Sequence, residues 1–408
     1  MSKTMLRVAA LLMLSTALAA NAQSVTDPAL TTPHFDHIIL IIQENRTPDN
    51  LFGASGLPGA ELSVNKTLGT AISIGDSPDL RHSHASYLSE ASGNYVNKAY
   101  DYVASGAEPY WNMAAQYAFA NRMFQTNQGP SFPAHLYLLM GTSAPSDASP
   151  SFVSDNPTVG GAGCRARGGS LVPLINPDGS YSSTYPCFST SSLIDLLAAR
   201  GLSWRYYCSC GHQIWNAPGA LETWYQSPEI IPSPRQVLTD IRKGNLANVS
   251  WVTPAGAYSD HPGFGGGGPA WVSSIVNAVG QSPYWKNTAI IVTWDDWGGW
   301  WDHVRPPANQ TGWCRENCYG FRVPLLVISA RTPQHYVDNG VHDFGSILRF
   351  IESNFALGNI GPGGWADSYA DSLSGFFTGG AALREFVKIK ARPLTKAELA
   401  DLGPPDSD

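Results

Sequence analysis

An α/β architecture, with a mostly parallel central sheet flanked by helices, follows from two features of the chain. Apolar runs without polar alternation recur at His37–Ile42, Thr288–Thr293 and Val323–Ser329, and such runs read as strands buried on both faces. Between them lie segments with helical periodicity, so strand, loop and helix alternate throughout. At 408 residues the chain is long enough to bury a large core, and single α/β enzymes of this size are common.

Taken in order, residues 1–22 read as an export signal. Lys3 and Arg7 are basic, Val8–Ala20 is apolar, and Ala20-Asn21-Ala22 is an A-x-A cleavage site, so the mature chain begins near Gln23. That apolar stretch is too short to span a bilayer comfortably, and no later one approaches 18 residues. Residues 23–408 are expected to form one catalytic domain. The strand at His37–Ile42 runs into Gln43-Glu44-Asn45-Arg46, then Pro48, Asp49 and Gly53, which is turn chemistry. Tyr110–Ala120 reads as a helix. Gly129-Pro130-Ser131-Phe132-Pro133 breaks the pattern, and Ala134–Met140 reads as a second helix. Ser131 stands where it serves equally as a helix N-cap or as a nucleophile at a helix N-terminus. Residues 143–192, rich in Gly, Ser and Pro, read as a long surface excursion. Ser191–Arg200 is a helix, Leu202–Tyr207 and Ser250–Thr253 are strands, and a Gly-rich loop holds Asp260-His261-Pro262. Trp271–Val279 is a helix. Thr288–Thr293 then enters Trp294-Asp295-Asp296-Trp297-Gly298-Gly299-Trp300-Trp301-Asp302-His303, and Phe344–Phe355 is an amphipathic helix.

Composition narrows the function classes. Charged residues make up 14% of the chain and aromatics 11%, with 13 Trp. Disorder needs the opposite balance, and a coiled coil or charged helical bundle is excluded. The net charge is −7, from 25 basic and 32 acidic residues, so there is no basic footprint for nucleic acid or an anionic membrane. The six cysteines, Cys164, Cys187, Cys208, Cys210, Cys314 and Cys318, are an even set behind an export signal, which favours disulfides. Six allow 15 pairings, and spacing does not choose among them.

The chemistry collects after two buried strands, where open α/β sheets put their sites. Glu44 with Asn45, and Asp295 with Asp296, are neighbouring oxygen donors whose like charges need a divalent cation between them or a raised pKa on one acid. All-oxygen ligation suits Mg, Mn or Ca; nearby histidines keep Zn open. Polar, turn-rich text also holds His82, His84, His261 and His303. His135 and His342 divide evenly between packing and support of the site. His34, His37, His212 and His335 read as structural hydrogen-bonders. Trp297, Trp300, Trp301 and Tyr319 either pack in the core or wall a pocket able to hold a choline-like cation.

Phe35–Arg46 with Asn50-Leu51-Phe52-Gly53, and Asn287–Val304 with Pro306-Pro307, resemble the bacterial phosphoesterase family of phospholipases C and acid phosphatases. Arg322-Val323-Pro324-Leu325 and Phe344-Gly345-Ser346-Ile347-Leu348 follow in the family's order. The resemblance implies an alkaline-phosphatase-like fold and one divalent metal on Glu44, Asn45, Asp295 and Asp296, with Ser131 as nucleophile and further ligand. It also implies a phosphoserine intermediate, and His82 and His261 as transition-state and leaving-group residues; His303 matches the Asp-His-Val element. The sequence departs from the family at Ala134-His135, where Asn-Arg or Asn-His is common. It departs again at Asp296, often Glu, and at Phe344, where many phospholipases carry His. The long C-terminal extensions of several phospholipases C are absent. The expectation is therefore an exported, periplasmic or secreted, acid-phosphatase-like enzyme. The alternative is a phospholipase C acting on phosphatidylcholine-type diesters. Two rivals from other classes are an exported binding protein that has kept the fold and a glycosidase using isolated carboxylates. Convergence of Glu44, Asn45, Ser131, Asp295 and Asp296 separates them.

Overall fold

The computed structural model describes residues 34–158, 161–210, 214–307, 319–378 and 382–400. At its centre is an eight-stranded sheet. In chain order the strands are β1 (His37–Gln43), β2 (Ala118–Phe124), β3 (Trp204–Tyr207), β4 (Ile230–Ile231), β5 (Val249–Val252), β6 (Thr288–Trp294), β7 (Leu325–Ile328) and β8 (Tyr336–Asp343). Across the sheet they run β8-β2-β7-β6-β1-β5-β3-β4. Neighbours are parallel except where β7 is involved, which lies antiparallel to β6 and β2. The mostly parallel sheet expected from the apolar runs is therefore present.

The helices are α1 (Pro48–Phe52), α2 (His84–Ala91), α3 (Glu108–Gln116), α4 (Ser131–Met140), α5 (Leu193–Ala199), α6 (Gln236–Lys243), α7 (Gly268–Gly280) and α8 (Phe344–Phe355). One packed group is α4, α5 and α8; the other is α3, α6 and α7. Between them β1 is closed off on both faces: Ile38, Ile39, Leu40, Ile41 and Ile42 are all buried. Each such side chain contributes about 1.5–3 kcal/mol. Among the described residues no helix is long and apolar enough to cross a membrane.

Several elements differ from the sequence reading. The helix expected over Tyr110–Ala120 stops at Gln116, and Ala118–Phe124 is the second strand of the sheet, because pairing with β7 and β8 outweighs local helical preference. Strand β8 was not foreseen; it is a partly exposed edge strand and carries no apolar run. Residues 143–192 are more than a surface excursion. They hold a three-stranded antiparallel sheet of Phe152–Val153, Val172–Ile175 and Tyr181–Thr184. Two disulfides, Cys164–Cys187 and Cys208–Cys210, account for four cysteines. Residues 1–33, His212, Cys314 and Cys318 lie outside the described residues.

Candidate active site

The paired register of β1 and β6 builds the site. Gln43 stands opposite Trp294 at the ends of the parallel ladder, so Glu44-Asn45 and Asp295-Asp296 leave the sheet side by side. Backbone hydrogen bonds lock the two exits: Asp295 N–H donates to Gln43 O at 3.0 Å, and Arg46 N–H to Asp296 O at 3.0 Å. Asn45 N–H donates to Asp295 Oδ1 at 3.0 Å, as does Asp296 N–H at 2.8 Å. Asn45 itself is left-handed, at φ 62°, a conformation Asn tolerates better than most residues. Gly298, at φ 62°, follows for a steric reason: a Cβ there would lie 2.4 Å from Asn45 O.

Ser131 opens α4. It is not an N-cap: Pro130 holds that position, and the Ser131 side chain makes no capping bond. Instead Ser131 Oγ lies 3.1 Å from Asp296 Oδ2, 3.3 Å from Glu44 Oε2 and 3.4 Å from Asn45 Oδ1. Glu44, Asn45, Ser131, Asp295 and Asp296 are all buried. One hydroxyl proton can serve one of three acceptors, so lone pairs are in excess around Oγ. Asp295 Oδ2 is also buried with no hydrogen bond. That donor set, hard oxygens crowded in a buried pocket, fits a divalent cation.

His135 joins this group and was not foreseen as a ligand. Its Nε2 lies 3.1 Å from Glu44 Oε1 and 3.7 Å from Asp295 Oδ2. Glu44, His135 and Asp295 form a set able to hold a metal ion. Burial pushes the His135 imidazole down to about 4, against the pull of Asp295, so it is neutral at pH 7, the form in which imidazole ligates metals. The available signal was spacing: Ser131 and His135 are four apart on one helix and share a face.

His82 adjoins Asn45 and Asp296, and His261 lies next to His82. His82 Nδ1 is bonded to Leu80 O at 2.6 Å; its Nε2 lies 3.1 Å from Asn45 Nδ2 and 4.0 Å from Asp296 Oδ2. His261 Nδ1 is bonded to Pro262 O at 2.8 Å, and the two rings are 6.4 Å apart. The loop bearing His261 is tied to the strand ends by Asp260 N–H donating to Gln43 Oε1 at 2.9 Å and by Arg46, which donates to Asp260 O.

His303 is not brought into this set. Its backbone N–H and Nδ1 both bond Asp49 Oδ2 at 2.7 Å, and that hydrogen bond raises its pKa. Asp49, Asp302 and His303 could also group around a cation, but the buried Arg322 guanidinium already bridges Asp302 and Asp49, at 2.8 and 3.3 Å. Of the aromatics, Trp297 and Trp300 are core residues. Trp301 and Tyr319 line a cavity of about 590 Å³ with Tyr87, Tyr95 and Glu90.

Known proteins resemble this chain. It is 25% identical to a non-hemolytic phospholipase C of Pseudomonas aeruginosa, over 84% of the chain and 57% of that protein. It is 24% identical to phospholipase C A of Mycobacterium tuberculosis, over 84% of the chain and 77% of that protein. A non-hemolytic phospholipase C of Burkholderia pseudomallei is 34% identical over 142 residues, 28% of the chain and 20% of that protein. The chain thus spans well under two thirds of both non-hemolytic relatives. Among solved structures, a protein of the alkaline phosphatase superfamily from Vibrio parahaemolyticus is similar with a TM-score of 0.42 and 12% identity, over 84% of this chain and 70% of that one. The phosphoesterase family profile matches residues 35–358, a span that holds both strand-end motifs, Ser131 and the histidine segments: the chain belongs to the phosphoesterase family.

Proposed function

We propose that this protein is an exported, metal-dependent hydrolase of phosphate esters, working as one catalytic domain over residues 23–408 with Ser131 as its nucleophile. The position of the Ser131 hydroxyl carries the reading: it does not cap its helix and sits within 3.1–3.4 Å of Asp296, Glu44 and Asn45. Glu44, Asn45, Asp295 and Asp296, with His135 beside them, would hold one divalent ion, which supplies charge neutralisation for a phosphoryl group and a lowered pKa for a neighbouring hydroxyl. Asp296 Oδ2 is the nearest acceptor for the Ser131 proton. Oγ then attacks phosphorus in line with the departing alkoxide; the bond to Oγ forms as the bond to the leaving oxygen breaks. His82 and His261 are the candidate leaving-group residues: one imidazole, protonated on Nε2, would give its proton to that alkoxide, and for His82 this requires the Asn45 amide nitrogen to turn away from Nε2. Water hydrolyses the resulting phosphoseryl ester and restores the hydroxyl. A glycosidase has no use for a serine among its carboxylates. The disulfide Cys164–Cys187 supports an exported, oxidising location.

Two substrate classes suit this chemistry. Phosphate monoesters give an acid-phosphatase-like enzyme. Phosphatidylcholine-type diesters give a phospholipase C, which the names of the relatives favour. Hydrolysis of an aryl phosphate is to be compared with that of an aryl phosphorylcholine, using metal-replete protein and Ser131→Ala. Turnover of either that falls at least about a thousand-fold in Ser131→Ala, with the fold retained, supports the reading and names the class; substantial residual turnover sinks it.

A further inference from the structure

Helix α4 begins without a cap of its own. Pro130, at the N-cap, has no side-chain acceptor, and Ser131 turns its hydroxyl toward the acids. An N-cap side chain ordinarily accepts from the N–H at N2 or N3. Pro133, at N3, has no N–H. At N2, Phe132 N–H donates to Asn156 Oδ1 at 2.8 Å. Asn156 therefore caps the helix from outside it, across the chain from the Cys-containing insertion.

The same carboxamide carries a second feature. Asn156 is 8% exposed, and its Nδ2 is buried with no hydrogen-bond partner. With Oδ1 pinned to the second N–H of α4, the carboxamide is held at the N-terminal end of the helix that Ser131 opens. A helix N-terminus favours an anion, and the N–H of Ser131 has no intrahelical acceptor. Asn156 is also firmly seated. Ser154 N–H donates to Pro173 O at 3.0 Å within the insertion's sheet. Ser154 O lies where a Cβ on Gly129 would be, at 2.1 Å, so the insertion packs directly on the turn before Ser131. Asp155 Oδ1 accepts from His84 N–H at 2.9 Å, which ties the same three residues to the segment bearing His82.

We propose that Asn156 is a substrate-binding residue: its Oδ1 is fixed by Phe132 N–H, and its Nδ2 donates to a non-bridging phosphoryl oxygen of the ester that Ser131 attacks. This rests on the reading of Ser131 as the nucleophile of a phosphoester hydrolase. No proton is transferred by Asn156; it supplies a neutral donor where charge builds on phosphoryl oxygens during attack.

Asn156→Asp keeps an acceptor for Phe132 N–H and removes the donor; Asn156→Ala removes both without adding charge. Each is tested in the full, metal-replete chain by calorimetric titration with inorganic phosphate, by kcat/KM on the active ester, and by thermal denaturation. Both variants are expected to lose at least tenfold in phosphate affinity and at least a hundredfold in kcat/KM, with Asn156→Asp melting close to the wild type. If Asn156→Asp behaves as wild type while Asn156→Ala fails, the residue is only a cap and the proposal falls. If Asn156→Ala binds phosphate as wild type does, the loss in Asn156→Asp is charge repulsion and the proposal falls. A wild type that binds no phosphate overturns it as well. Asn156-dependent phosphate binding in a protein whose turnover ignores Ser131→Ala would uphold the anion site and refute the nucleophile.

Discussion

Asn45 meets two demands at once. Its backbone turns left-handed at φ 62°, and its side chain lies between Ser131 Oγ at 3.4 Å and His82 Nε2 at 3.1 Å. A carboxamide answers both neighbours, with oxygen toward the hydroxyl and nitrogen toward the imidazole. The Glu-Asn and Asp-Asp pairs were legible because they are adjacent in sequence and follow apolar runs. His135 was legible only in part, as a histidine four residues from Ser131 on one helix; Asn156 was not, because it acts from a segment whose packing no local pattern reveals. His135→Ala should weaken metal affinity by about ten- to a hundredfold, read by competition with a chromogenic chelator. An unchanged affinity would return His135 to packing alone.

At the scale of elements, the insertion and the strand-end turn hold the site in shape. Gly298 leaves no room for a side chain against Asn45 O, and its φ of 62° disfavours any other residue. Gly298→Ala should destabilise by more than about 1 kcal/mol and lower kcat, measured by denaturant titration alongside turnover. Cys164 and Cys187 close a loop with a sequence separation of 23. Replacing both by Ser should cost about 3 kcal/mol, seen as a lower urea midpoint; an unchanged midpoint would show that the insertion's own sheet suffices. The buried strands β1 and β6 could be read from sequence, since a doubly covered strand must be apolar along its length. Strands β2 and β8 could not: Ala118–Phe124 continues text that looks helical, and Tyr336–Asp343 is polar on its exposed edge.

For the molecule as a whole, stability should fall on the alkaline side. Burial works against a charged His342, but hydrogen bonds to Asp338 and Asp371 prevail and lift it to about 9. The stability from that charge is complete below the ordinary value of 6.5 and is lost as pH rises through about 9. Asp338, held down to about 2 by His342, is the other half of the same ion pair and is not counted again. Burial and the neighbouring Asp367 push Glu352 up to about 9, so ionising it costs stability as pH climbs from 4.5. The melting temperature should therefore drop between about pH 6.5 and 9, and Glu352→Gln should shrink that drop; an unaltered slope would dissociate Glu352 from it. The ladder between β1 and β6 has a further consequence. It runs from His37 opposite Thr288 to Gln43 opposite Trp294, so the acids at its end share the sheet's cooperativity. Losing their geometry requires opening the centre of the protein, and amide exchange at Ile39–Ile41 should report only global unfolding. On the proposed reading, occupancy of the site by a divalent ion and survival of the fold are thermodynamically linked: free ion at a hundred times its dissociation constant should add about 2.7 kcal/mol, which chelation should remove.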